Sequence, residues 1–152
     1  MAPKSRKRVY LDVCALCRPF DDQRQLRIQI ETDALYLILE HVKSADYDLI
    51  VSPAHFVEIG ATTHEKEDAQ VMAFLNAYGT KPSWDMAKVR MRAEELHRLR
   101  FGAADAAHVA FAEDVADVLV TCDEALLRKC RNTDLRICAM NLIEFLIAEG
   151  LR

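Results

Sequence analysis

The chain has 152 residues, 51% of them hydrophobic and 29% charged, which is enough for one domain with a real core. Its 20 Lys and Arg stand against 24 Asp and Glu, and a net charge of -4 excludes a polycation that coats nucleic acid by bulk charge. With 4 Gly and 4 Pro it is neither collagen-like nor linker-like, and no apolar run approaches the ~20 residues of a membrane span.

Residues 1–8 form a basic arm with Lys4, Arg6, Lys7 and Arg8, read either as a solvated end or as a contact for phosphate. Residues 9–152 read as a single domain without repeats or linkers. The run Val9-Tyr10-Leu11 meets Asp12 at once, so it is no signal peptide, and the cytoplasm is the expected compartment. Five cysteines (Cys14, Cys17, Cys122, Cys130 and Cys138) are an odd set that fits reduced thiols.

Val9-Tyr10-Leu11 is the first predicted strand, followed by a polar loop around Arg18 to Asp22. Leu26, Ile30, Ala34, Ile38 and Val42 then recur at the spacing of an amphipathic helix. A second strand over 48–51 runs into Ser52-Pro53, a helix start, and that helix ends near Gly60. Helices over 65–77 and from Met86 to Leu99 follow, with a short strand expected around 79–82 between them. After Gly102 comes a helix of small residues over 103–113, then a strand over 118–120. A helix over 124–129, a strand over 135–138 and a helix over 142–148 complete the chain. Strands alternating with helices predict an α/β domain with a parallel sheet.

The acids sit where such a sheet places its sites. Asp12 ends the first strand and Asp123 lies just past the strand 118–120, so both belong to the carboxyl-end rim. Glu58 lies about one and a half turns into the helix after the second strand, able to face that rim while Phe56 and Ile59 pack beneath. Asp105 stands in the first turn of its helix, among alanines that permit close approach to the sheet. Converging carboxylates repel each other unless a cation sits between them, and oxygen-only ligands suit Mg²⁺ or Mn²⁺. Such an ion polarises a phosphoryl oxygen and activates water for in-line attack on a phosphodiester. Taken singly, Asp12 reads equally well as a turn residue, Asp105 as a helix-start acid and Glu58 as a solvated one.

In Val9-Tyr10-Leu11-Asp12, Ser52-Pro53-Ala54-His55-Phe56-Val57-Glu58, Gly102-Ala103-Ala104-Asp105-Ala106-Ala107-His108 and Leu119-Val120-Thr121-Cys122-Asp123, the chain resembles the PIN domain family of metal-dependent ribonucleases. The order and spacing of these pieces carry the resemblance along nearly the whole chain. It implies a three-layer α/β/α domain with a central, mostly parallel five-stranded sheet. It also implies that Asp12, Glu58, Asp105 and Asp123 are catalytic and surround Mg²⁺ or Mn²⁺, with Thr121 helping to hold that shell. The activity implied is endonucleolytic cleavage of RNA, leaving a 5′-phosphate and a 3′-hydroxyl. Many small members are toxins of toxin–antitoxin pairs, are homodimeric, and are silenced by an antitoxin peptide. One departure is plain: the family carries Ser, Thr or Asn within two residues of the first Asp, where this chain has Val13 and Cys14. A catalytically weak domain that binds protein or RNA is therefore the alternative.

Arg18, Arg24 and Arg27 after the first strand, and Lys88, Arg90, Arg92, Arg98 and Arg100 in one helical region, are candidate phosphate contacts or ordinary solvated faces. His108 reads as a substrate contact or as a hydrogen-bonded structural residue. Cys14-x-x-Cys17 has zinc-ligand spacing but lacks a second close pair, so these read as ordinary thiols. A phosphatase of the haloacid dehalogenase type would need a second Asp where Cys14 stands.

Overall fold

Side-chain alternation inside three strands sets the architecture. Val9, Leu11, Leu49, Val51, Val118 and Val120 belong to one buried cluster, whereas the intervening Tyr10, Ile50 and Leu119 belong to another. A strand turns successive side chains to opposite faces, so a sheet apolar on both faces must be covered on both. The computed structural model describes residues 5–61 and 63–152 and shows this three-layer arrangement.

The elements in chain order are β1 (Lys7–Leu11), α1 (Val13–Leu16), α2 (Leu26–Lys43), β2 (Tyr47–Ile50), α3 (Pro53–Gly60), α4 (Glu65–Tyr78) and β3 (Gly79–Thr80). After them come α5 (Met86–Arg98), α6 (Ala103–Val115), β4 (Val118–Val120), α7 (Glu124–Arg131), β5 (Cys138–Met140) and α8 (Leu142–Glu149). The five strands lie in the order β3-β2-β1-β4-β5 and every pairing is parallel. Apolar residues of α2, α4 and α8 cover one face, and those of α5, α6 and α7 cover the other. The chain builds outward from β1 to β2 and β3, then returns to place β4 on the other side of β1. Between β1 and β4 the strand order reverses, the place where an open parallel sheet forms its crevice.

Several predicted boundaries move. β1 begins at Lys7 inside the expected arm, because Lys7 and Arg8 pair in register with Tyr47 and Asp48. The arm's remaining cations are spoken for: Arg6 meets Asp48, Lys7 meets Glu149 and Arg8 meets Asp117. Residues 1–4, with Lys4, lie outside the described residues. The last strand falls three residues later than the spacing predicts, since Val118 pairs with Cys138 and Val120 with Met140. Arg136 instead gives its backbone N–H to the buried Glu113 carboxylate at 2.9 Å, which keeps it off the ladder. In α2, Leu26 and Ile30 are 70% and 47% exposed, while Ile28 and Leu35 turn inward in their place. A short α1 precedes the expected polar loop, and a 3-10 turn at Arg18–Phe20 occupies its first part.

One glycine is dictated by close approach. A Cβ on Gly79 would lie 2.3 Å from Val51 Cγ2 and 2.4 Å from the Leu75 carbonyl oxygen, so β3 reaches β2 only because it starts on glycine.

Candidate active site

Adjacent parallel strands deliver the first two acids to one place. Leu11 pairs with Val120, and the Asp12 N–H continues the ladder to the Val120 carbonyl at 3.2 Å. Asp12 then leaves the strand and caps α1, where Oδ1 accepts the Ala15 N–H at 3.0 Å and the Cys14 thiol at 3.1 Å. Its Oδ2 accepts the Thr121 hydroxyl at 2.5 Å. The side chain is buried, and desolvation pushes its pKa up while Thr121, Cys14 and Ala15 pull it down.

Thr121 Oγ1 also accepts the Asp123 N–H at 3.0 Å, which fixes the turn beyond β4. Asp123 caps α7 in turn, with Oδ1 taking the N–H groups of Ala125 and Leu126 at 2.9 and 3.1 Å. Asp105 sits half-buried in the first turn of α6 and has no hydrogen-bond or ion-pair partner among the described residues. Burial raises its pKa, and the charges of Asp123, Asp12 and Glu58 raise it further while His108 opposes them. Three acids from three separate helix starts thus repel each other across one crevice.

Glu58 arrives from α3. The helix phase buries Ile59 fully, exposes Val57 to 73%, and leaves the Glu58 side chain 38% exposed. Its Oε2 lies 2.5 Å from His108 Nε2. Behind this contact stands a buried polar cluster: Tyr10 Oη is 2.5 Å from His108 Nδ1 and 2.7 Å from Ser52 Oγ. His55 takes the Ser52 N–H on Nδ1 at 3.0 Å and faces the Leu11 carbonyl with Nε2 at 2.7 Å. Those two bonds fit a neutral ring, and burial holds the His55 pKa down to about 4. The cluster ties β1, α3 and α6 together directly beneath their acids.

Sequence reasoning missed Tyr10, Ser52 and His55. A signal was present, because Ser52 and His55 have the spacing of a reciprocal helix cap and Tyr10 is the first-strand residue facing away from its neighbours Val9 and Leu11. His108 is 2% exposed, with one ring nitrogen against Glu58 and the other against Tyr10. Arg18 is likewise committed, to Asp21 and to the buried Glu31, and Arg24 lies against Asp22. Arg27 spans Glu31 and Glu124.

The chemistry of the acids fits a hard divalent cation, being all oxygen, with a desolvated Asp12 and an Asp105 set against like charges. Their placement is looser than a closed cage. Among the described residues no three His, Cys, Asp or Glu groups stand together as a metal site, because each carboxylate but Asp105 has turned to local donors. All five thiols are free, with Cys122 donating to Cys14 over 3.3 Å, and burial pushes Cys17 up to about 11. The zinc reading of Cys14 and Cys17 therefore gains nothing.

Two depressions are lined by residues of these elements. An apolar groove of about 480 Å³ leads from Thr121 and Asp123 past Leu127 and Ile143 to the exposed Leu26 and Ile30. Between α5 and α6, Arg90, Glu94, His97 and Arg98 line a cleft of about 350 Å³ with Ala103 and Ala106.

No family profile matches the sequence, nor does any curated protein. Solved structures do share the fold. FitAcB from Neisseria gonorrhoeae is 15% identical with a TM-score of 0.54, and the match covers 89% of this chain and 98% of that one. PAE2754 from Pyrobaculum aerophilum is 16% identical with a TM-score of 0.55, covering 96% and 98%. FitAB bound to an IR36 DNA fragment is 16% identical with a TM-score of 0.56, covering 88% and 94%. The fold is PIN-like, with a five-stranded, all-parallel sheet between helical layers.

Proposed function

We propose that the protein is a Mg²⁺- or Mn²⁺-dependent endoribonuclease, acting as the toxin of a toxin–antitoxin pair. The observation that carries this reading is an Asp105 unpartnered among the described residues, its pKa raised by burial and by the charges of Asp123, Asp12 and Glu58, with Asp12 and Asp123 ending the adjacent strands β1 and β4. A bound divalent ion would supply charge stabilisation and an activated water. Asp12 and Asp105 would hold it, with Asp123 and Glu58 completing the shell directly or through water. Thr121 and Cys14 hold Asp12 in place and oppose the rise that burial gives its pKa. The PIN-like fold supports the reading, as does the resemblance of the four sequence pieces to that family.

RNA phosphates would approach along α5, where the side chains of Arg90, Arg98 and Arg100 have no acidic partner among the described residues. An antitoxin segment would lie in the apolar groove that opens onto Asp123. Two copies of the chain are expected to associate, as in small members of the resembled family. Free thiols fit a reducing cytoplasm, and among the described residues no helix is long and apolar enough to cross a membrane.

RNA cleavage with Mn²⁺, with EDTA, and by Asp12→Asn and Asp105→Asn tests the reading. Activity that survives EDTA and both substitutions removes it. The second reading is a binding module of weak or no activity, favoured by the local hydrogen bonds that engage Asp12 and Glu58. Calorimetric titration with Mn²⁺ separates the two, since the binding module takes up none.

A further inference from the structure

Glu58 is the one acid of the site held by a chain of side chains rather than by a helix start. Ser52, Tyr10 and His108 stand in line behind it and are all buried. The direction of the first bond follows from the end that can only accept. A carboxylate only accepts, so His108 Nε2 must carry the proton that faces Glu58 Oε2. The other ring nitrogen, Nδ1, faces the Tyr10 hydroxyl at 2.5 Å. Tyr10 Oη in turn lies 2.7 Å from Ser52 Oγ.

Packing removes the remaining freedom. The His108 ring meets Tyr10 edge-on, with centroids 5.6 Å apart, and His55 at 5.1 Å, so it cannot turn without breaking both contacts. Glu58 Oε1 has no partner among the described residues, which leaves one carboxylate oxygen pinned and the other unengaged. That division suits an acid held in place for a cation: one oxygen fixes the group and the second is available.

We propose that His108 is the positioning residue of Glu58, oriented by Tyr10 and Ser52 so that Glu58 presents its second oxygen to a divalent cation shared with Asp105. The proposal rests on the metal-dependent reading above. Partners that orient a ligating group are worth about ten- to a hundredfold in metal affinity, and that sets the expected effect. Without the Tyr10 hydroxyl the imidazole loses the contact that holds its Nδ1 side. Without an Nε2 donor Glu58 swings free and must be ordered when the cation binds.

The test is Mn²⁺ calorimetry on the full chain, with thermal melting of each variant beside it. Tyr10→Phe keeps the ring and removes only the hydroxyl. His108→Gln keeps a donor toward Glu58, whereas His108→Leu keeps bulk and loses it. Weakening of about tenfold or more for Tyr10→Phe and His108→Leu, with most affinity restored in His108→Gln, supports the proposal. A purely structural role would instead track melting temperature, without distinguishing Gln from Leu at equal stability. If His108→Leu fails to fold, Tyr10→Phe decides the matter. Wild-type protein that binds Mn²⁺ no better than these variants overturns the role of His108 alone. Wild-type protein that binds none overturns the metal reading and this role with it.

Discussion

The Thr121 hydroxyl donates to Asp12 Oδ2 at 2.5 Å although the two residues are 109 positions apart in the chain. The same oxygen accepts the Asp123 N–H, so one small side chain sets the spacing between the acids that end β1 and β4. Cys14 completes this arrangement from the other side by donating its thiol to Asp12 Oδ1. The residue that departs from the family's hydroxyl pattern therefore still fills a donor's place, with a weaker group.

Cys14→Ser replaces that thiol with a stronger donor and is expected to lower the Asp12 pKa and tighten Mn²⁺ binding. Cys14→Ala should do the reverse and cost about 1 kcal/mol of stability in urea unfolding. If calorimetry finds Ser and Ala alike, the thiol is a spacer and no donor.

Asp105 is unpartnered among the described residues, half-buried, and pushed up by burial and by three neighbouring acids. Asp105→Asn removes the repulsion and should stabilise the metal-free protein by roughly 0.5–2 kcal/mol while abolishing RNA cleavage. Melting curves in EDTA and a cleavage assay read the two effects separately. A variant that is less stable than wild type in EDTA would contradict the electrostatic account.

His55 supplies a pH dependence of definite sign. Its pKa falls from the ordinary 6.5 to about 4 in the folded chain, with burial as the largest cause, then the charge of His108. Between those values the unfolded chain binds a proton that the folded chain refuses, so stability is lost as pH falls through that window. The loss approaches about 3 kcal/mol. Measured against His55→Gln, in which Asp12 and Asp105 contribute equally, the wild-type advantage should shrink from pH 7 to pH 4. A constant difference would show that His55 titrates normally.

The α5 cleft makes a prediction about salt. Arg98→Glu and Arg90→Glu should each weaken RNA binding, and each lost phosphate contact should flatten the log–log salt dependence by about 0.7. Arg24→Glu, at a residue already paired with Asp22, should change both far less. Equal effects at Arg24 and Arg98 would place the RNA elsewhere.

Most of this fold was legible because it is written in local patterns. Val118-Leu119-Val120 and the periodic apolar residues of α2, α5 and α6 announce their elements, and an acid just beyond an apolar strand announces the rim. β5 was misplaced because Leu135 and Ile137 look like a strand, while register against β4 is a long-range fact. Leu26 and Ile30 fit the helical spacing of the core but face a groove, since periodicity gives a face and not its depth. The four acids could be named, and the cluster beneath them could not. Tyr10, Ser52, His55 and His108 each have an ordinary reading alone, and only the crossing of β1, α3 and α6 makes them one unit.

The central position of β1 beside β4 has a consequence for the order in which the protein becomes active. Asp12 ends β1, yet Thr121 and Asp123 follow a strand that begins only at Val118. A nascent chain shorter than this carries Asp12, Glu58 and Asp105 but has neither the neighbouring strand nor the hydroxyl that holds Asp12. Pairing across so long a stretch of chain closes late, after the local helices have formed. The crevice therefore depends on two strands far apart in the chain, and a polypeptide that stops short of Val118 has its first and last acids unjoined.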